Sequence, residues 1–354
     1  MAMTGADKTL MGSLRAVLFV LAPLPCLVPA GALAIDCYEP GSALERSACA
    51  VDSLRDQMLE IDLVSAQVGA ALSPPEADLL RTQQAAWTQE ILAMCDVEAM
   101  VAASREKDES LSLCLGDHFQ DWREWLARYH RRIGRFEIVA RSIAQWNRDR
   151  YYEVRIQYPE LLNPTGRGEQ AFNEWAAAAA QSYAEGFETS EFVRSDRVSD
   201  QDRQTYSPSM LRRSYRIELA GGNLFAVTWD DDVYGTGAAH GIPSTRGTLF
   251  SLEAARPLGA ADVFAANADW AERATDLCLP RLAAQIQDTE TGFTPDSVRK
   301  IIAEFGSWSF GSRGATITFD VYTIASYASG VSECKLSYEE LRPLLNPALS
   351  FGLG

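Results

Sequence analysis

Apolar residues recur at three- and four-residue spacing from residue 42 to about 68, at Leu44, Ala48, Val51, Leu54, Met58, Ile61 and Leu63. That period predicts a helix with one buried face, and Ser42 with Glu45 makes a capping box at its start. Ser73-Pro74-Pro75-Glu76 ends this helix and opens a second, because proline is tolerated in a first turn. The second helix runs to about residue 100 and keeps Leu79, Leu80, Gln83, Trp87, Ile91 and Met94 near one face. A polar loop at 104–110 leads to a third helix, predicted from about 111 to 146. The result is an antiparallel helical hairpin with a longer third member.

The period then changes from about 3.6 to 2. Residues 151–159, Tyr-Tyr-Glu-Val-Arg-Ile-Gln-Tyr-Pro, alternate as a strand stopped by proline. A helix at 169–187 holds Trp175 and five consecutive alanines. Strands at 211–220 and 224–234 flank Gly221-Gly222-Asn223, a hairpin turn. A strand near 248–252, a turn at 257–264 and an amphipathic helix at 270–287 follow. Trp308 and Phe310 precede the turn Gly311-Ser312-Arg313-Gly314. Ala315, Ile317, Phe319 and Val321 then alternate with Thr316, Thr318 and Asp320. A loop at 322–330, a short strand at 331–336 and a helix from Ser337 close the chain. The expected class is α+β: a disulfide-stapled antiparallel helical hairpin or bundle at 35–147, then an α+β domain with a mainly antiparallel sheet at 148–350.

At 354 residues and 47% hydrophobic content, the chain can fill two cores. Lys8 and Arg15 precede an apolar run, and Ala32-x-Ala34 has the small residues of a signal-peptidase site. The run is broken by Pro23, Pro25 and Pro29 and is short for a membrane span, so residues 1–34 read as a cleaved secretory signal. The expected product is exported, periplasmic or secreted, with no stable membrane span. Cys37, Cys49, Cys95, Cys114, Cys278 and Cys334 then remain, an even number suited to disulfides in an oxidising compartment. Helix-end geometry favours Cys95–Cys114 and Cys37–Cys49, with Cys49–Cys95 as the alternative. Cys278 and Cys334 are left to pair. The net charge of −16 disfavours nucleic acid and suits a basic partner drawn in by steering. Arg123, Arg128, Arg131, Arg132, Arg135 and Arg141 interleave with Trp122 and Trp125. In so acidic a chain they read as a face paired with carboxylates rather than as a nucleic-acid surface.

Asp36-Cys37, Glu45, Cys49, Leu54, Gln83, Trp87 with Cys95 eight residues on, and Cys114-Leu115 resemble the LprI-type lysozyme-inhibitor domain over about 36–130. Ile91-Leu92 stands where that family often has Arg-Asp. Tyr322, then Tyr327-Ala328-Ser329-Gly330, then Lys335-Leu336-Ser337-Tyr338 with Leu341, resemble the C-terminal domain of the anti-sigma factor RsiV and a related non-catalytic domain of the deacetylase PdaC. Val321 and Ser337 replace usual prolines, and Ala238 replaces a glycine in Tyr234-Gly-Thr-Gly-Ala-Ala-His240. The resemblance implies a domain that grips a glycan-handling protein, which for RsiV is lysozyme. No span precedes the second domain, so signalling to a sigma factor is not implied.

Asp230-Asp231-Asp232 with His240 invites a metal or acid–base reading. Successive strand side chains point to opposite faces, so the three cannot converge on one ion. No zinc, P-loop, GxSxG or dinucleotide pattern stands out, and no carboxylate pair is marked for glycoside hydrolysis. The expectation is therefore a binding protein, not an enzyme, with no cofactor and no metal. Its contact residues are Tyr234, Thr236, His240, Tyr322, Ser326 and Tyr327, on two loops that enter the cleft of lysozyme or a similar basic hydrolase. The rival readings are a peptidoglycan-binding envelope protein and a wall hydrolase. Gln83 and Trp87 read first as packing residues of the hairpin, and Glu45 reads equally as a cap or a ligand group.

Overall fold

The computed structural model describes residues 35–193, 197–286, 293–349 and 351. The expected signal at 1–34 and the last residue of the helix expected at 270–287 lie outside them. The chain is a mixed α+β protein with a mainly antiparallel sheet.

The first helical stretch forms as two helices, α1 (Ala43–Ala50) and α2 (Asp52–Ala71). Ser42 and Glu45 close the capping box at α1, which gives Glu45 its role. Val51 adopts an extended conformation and breaks the run. Pro74 and Pro75 open α3 (Pro74–Met94), and α4 (Val97–Ala102) and α5 (Glu109–Arg128) follow. Cys37–Cys49 and Cys95–Cys114 are the bonded pairs, so the favoured arrangement is the one adopted.

The third helix is shorter than its expected span of 111–146. It stops at Arg128, and the chain turns into β1 (His130–Ile133) and β2 (Phe136–Asn147). Gly134, with φ of +58°, makes the turn between them, a left-handed conformation that glycine adopts without penalty. Phe136, Ile138, Val139 and Ala140 are all buried, so this strand is covered on both faces and shows no alternation to read. β2 pairs along its length with β3 (Tyr152–Leu161).

From β3 the chain crosses over through α6 (Arg167–Glu188) and α7 (Asp200–Thr205) to β4 (Ser209–Gly221). β3 and β4 are the parallel neighbours of the sheet, and a helical crossover is what a parallel pair requires. β5 (Leu224–Tyr234), β6 (Ile242–Ser251) and β7 (Arg256–Pro257) complete a seven-stranded sheet whose spatial order is its chain order. The Gly222-Asn223 turn between β4 and β5 is the hairpin expected there.

Short α8 (Ala260–Val263), α9 (Trp270–Ala283) and α10 (Pro295–Ala303) then lead to a second sheet. It consists of β8 (Trp308–Gly311), β9 (Gly314–Phe319) and β10 (Ser332–Ser337), all antiparallel, followed by α11 (Tyr338–Leu341). The two sheets meet at Gly247 of β6, where a Cβ would lie 1.8 Å from the Trp308 carbonyl oxygen. A side chain there would push them apart. Cys278 of α9 is bonded to Cys334 of β10.

Two large cores result. One runs without a break from the helices into the first sheet, joining Leu54, Trp87, Phe119 and Trp125 to Phe136, Phe225 and Trp229. The other lies between α9, α10 and the second sheet around Trp308, Phe319 and Cys334. Charged pairs also fasten the helices to the sheet. Arg141 of β2 reaches Glu76 of α3 at 3.1 Å, and Arg155 of β3 reaches Asp121 of α5 at 3.3 Å. Arg123 and Arg135 pair with Glu60 and Glu169, so these two, like Arg141, are matched by carboxylates of the same chain. No helix among the described residues is long and apolar enough to cross a membrane.

Candidate functional site

The loop between β9 and β10 is built to hold two tyrosines at the surface. Val321, Ile324 and Ala325 are buried, while Tyr322 between them is 59% exposed. The apolar residues pin the middle of the loop and leave its rings outward. Tyr322 has φ of +65°, a conformation that costs a non-glycine residue about 1 kcal/mol, and it is the neighbouring anchors that hold it there. Asp320 is the polar anchor. Its buried carboxylate accepts the Thr245 backbone N–H at 2.9 Å and an Arg246 guanidinium hydrogen, both from β6. Thr323 closes the turn by donating its hydroxyl to the Asp320 carbonyl at 2.6 Å.

His240, in the β5–β6 connection, meets this loop from 82 residues away in sequence. Its ring stacks on Tyr327 with centroids 3.7 Å apart and planes at 21°. Its Nε2 lies 3.3 Å from the Tyr322 hydroxyl, and its Nδ1 lies 3.0 Å from the Gly241 carbonyl. A carbonyl can only accept, so Nδ1 carries a proton and, in the neutral ring, Nε2 accepts from Tyr322. Tyr322 and Tyr327 are 5.6 Å apart. The three rings thus form one outward aromatic cluster. The Asp232 carboxylate lies beside Gly241, where an added Cβ would sit 2.4 Å from its Oδ1, so negative charge borders the cluster.

Of the six expected contact residues, the fold brings together His240, Tyr322 and Tyr327. Ser326 starts the short 3₁₀ turn 327–329 and bonds Ser329 at 3.2 Å, a local role within the same loop. Thr236 is engaged elsewhere: its backbone N–H donates to the Ser209 hydroxyl at 3.0 Å, which clamps its turn to the start of β4. Tyr234 pairs with Met210 at the end of the β4–β5 ladder and is half-buried.

The three aspartates separate as alternating strand positions must. Asp231 is buried and accepts two Arg213 hydrogens, at 2.5 and 2.8 Å, and the Tyr183 hydroxyl at 3.1 Å. Burial, and next the Asp231 charge, push the Tyr183 hydroxyl up to about 12. Asp230 turns to Arg216 at 3.2 Å. One other ligand-like group occurs among the described residues: Cys95, Cys114 and His118 have donor atoms within 4.8 Å of one another. Both sulfurs are already joined in a disulfide. The His118 ring accepts from Arg155, and burial, reinforced by Arg155 and Arg212, holds its pKa down at about 2.

Residues 261–339 match the family described as "Protein of unknown function (DUF3298)". That span contains the 278–334 disulfide and the tyrosine loop, while His240 lies outside it. Two solved structures are similar to the chain. A DUF3298 family member from Bacteroides fragilis is 19% identical and overlaps 61% of this chain and 96% of its own, with a TM-score of 0.43. A DUF3298 family protein from Pseudomonas aeruginosa PAO1 is 14% identical over 60% of this chain and 94% of its own, with a TM-score of 0.39. No curated protein matches the sequence.

Proposed function

We propose that this chain is an exported binding protein, periplasmic or secreted, that inhibits lysozyme or a similar basic glycan hydrolase. The His240–Tyr322–Tyr327 cluster would seat in the partner's cleft and exclude substrate without a reaction of its own. The observation that supports this reading best is the cluster itself. An exposed Tyr322 and a half-buried Tyr327 on a loop held by Asp320, Ile324 and Ala325 lose little freedom on docking, and aromatic anchors of this kind dominate interface energies. The acidic balance of the chain would speed encounter with a cationic partner. Three disulfides suit an oxidising compartment. The helical segment would add a second contact and avidity.

The test is lysozyme turnover titrated with the purified chain lacking residues 1–34. Inhibition should saturate, and Tyr327→Ala should weaken it about 30-fold, the loss of one 2 kcal/mol anchor. Absence of inhibition, or equal potency from a folded Tyr327→Ala variant, would sink the proposal. Saturable binding to purified sacculi with lysozyme turnover unchanged would favour the alternative reading, an envelope accessory protein that binds peptidoglycan.

A further inference from the structure

A cavity of about 360 Å³ lies where α3 and α5 cross the strands β2 and β3. Its size falls within the range of about 300–1,000 Å³ typical of small-ligand pockets. Trp87, Trp122 and Trp125 form one side, in series with centroids 4.6 and 4.2 Å apart, the first pair stacked and the second tilted. They are 8%, 5% and 2% exposed. None of their three indole N–H groups has a hydrogen-bond partner among the described residues. The same walls carry unpartnered acceptors, the Oε1 atoms of Gln83, Glu90 and Gln157. Buried polar atoms are ordinarily paired, and each one left alone costs about 1–3 kcal/mol. Six such atoms line this one cavity. Trp146 and Ala86 at the rim are partly or fully exposed, so the cavity can be reached.

The charges in the wall decide what it would hold. Arg155 is fixed there by Asp121, Glu153 and His118, and Asp121 is also 3.3 Å from Arg212. An ammonium ligand would face Arg155, and an anion would face Glu90 beside Glu153. Neutral groups avoid both penalties. A hydroxyl donates and accepts, so a ligand rich in hydroxyls can satisfy indole donors and side-chain oxygens together. The apolar C–H face of its ring matches the tryptophan walls.

We infer that this junction is a binding site for a neutral saccharide of one or two rings, separate from the tyrosine loops. The site needs the helices and the sheet together. Gln83, Trp87 and Glu90 come from α3, Trp122 and Trp125 from α5, and Gln157 from β3.

Titration calorimetry on the chain lacking residues 1–34 tests it, with cellobiose and N,N′-diacetylchitobiose as probes and tetramethylammonium and inorganic phosphate as charged comparisons. A disaccharide should give a saturable heat. Trp87→Phe keeps the ring and removes one donor, and Gln157→Leu removes an acceptor on the opposite wall. Each should weaken binding about fivefold, the worth of one hydrogen bond. Circular dichroism confirms folding of each variant, and if Trp87→Phe is unfolded, Gln157→Leu with Gln83→Leu decides. No heat with either disaccharide overturns the inference. So does binding unaffected by the folded variants, or binding of a charged probe alone.

Discussion

The molecule carries two clusters of aromatic rings, and they are built in opposite senses. At the loop cluster, His240, Tyr322 and Tyr327 gather near the surface, and the His240 ring is bonded to the Tyr322 hydroxyl and the Gly241 carbonyl. At the junction, Trp87, Trp122 and Trp125 stack inside, with their N–H groups unpaired beside a cavity. In the first, rigidity comes from anchors beneath the rings, and the rings themselves are nearly free of structural duty. In the second, the rings are the core that joins helices to sheet. Burial therefore decides how much of the fold's stability an aromatic cluster carries, whatever it binds.

That contrast can be broken by measurement. Trp122→Ala should cost about 3–5 kcal/mol in denaturant unfolding, the usual result of emptying a buried aromatic site. Tyr322→Ala should stay within about 0.5 kcal/mol, as an exposed position does. Equal losses would erase the distinction. The disulfides near each cluster sharpen it next. Cys278–Cys334 joins residues 56 apart and Cys95–Cys114 joins residues 19 apart. Chain-entropy scaling then gives losses of about 4 and about 3 kcal/mol for the respective double-serine variants. A reversed order in urea melts would mean that strain or residual structure governs instead.

The smallest effect concerns pH. Burial, opposed by Arg155 and abetted by Glu153, raises the Glu90 carboxyl to about 7 from its ordinary 4.5. The folded state therefore holds this proton more tightly than the unfolded chain does. Its contribution is present below the unfolded value near 4.5 and is lost as pH rises through about 7. Glu90→Gln should match the parent near pH 4 and exceed it by on the order of 2 kcal/mol near pH 8. A gap that does not grow with pH would show that the carboxyl is better solvated than its position implies.

Much of the framework was legible along the chain. Ser42 with Glu45, Pro74-Pro75, the Gly222-Asn223 turn and the alternation from Ala315 to Phe319 act through neighbours a few residues away. The structure places each element where that local chemistry does. Cys95–Cys114 was the pairing that helix-end geometry favoured over Cys49–Cys95, and it is the one formed. Residues 130–147 were not legible. Their apolar positions are buried on both faces and mixed with Arg131, Arg132, Arg135 and Arg141. The run therefore carries neither a clean period of 2 nor one of 3.6. The Gly134-Arg135 pair, a turn signal inside the span read as helix, was the available signal.

By itself, the sequence determined the α+β class, the capping box at Ser42 and Glu45 and the Gly222-Asn223 turn, because each depends on short-range chemistry, while for the first four cysteines it favoured one pairing over another and the structure made the choice. Tertiary structure alone decided that His240 would lie on Tyr327, that Thr236 would turn to Ser209, and that Trp87, Trp122 and Gln157 would share one cavity. Those contacts join residues up to 87 positions apart. Their partners are selected by how sheets and helices pack, and no local pattern along the chain encodes that choice.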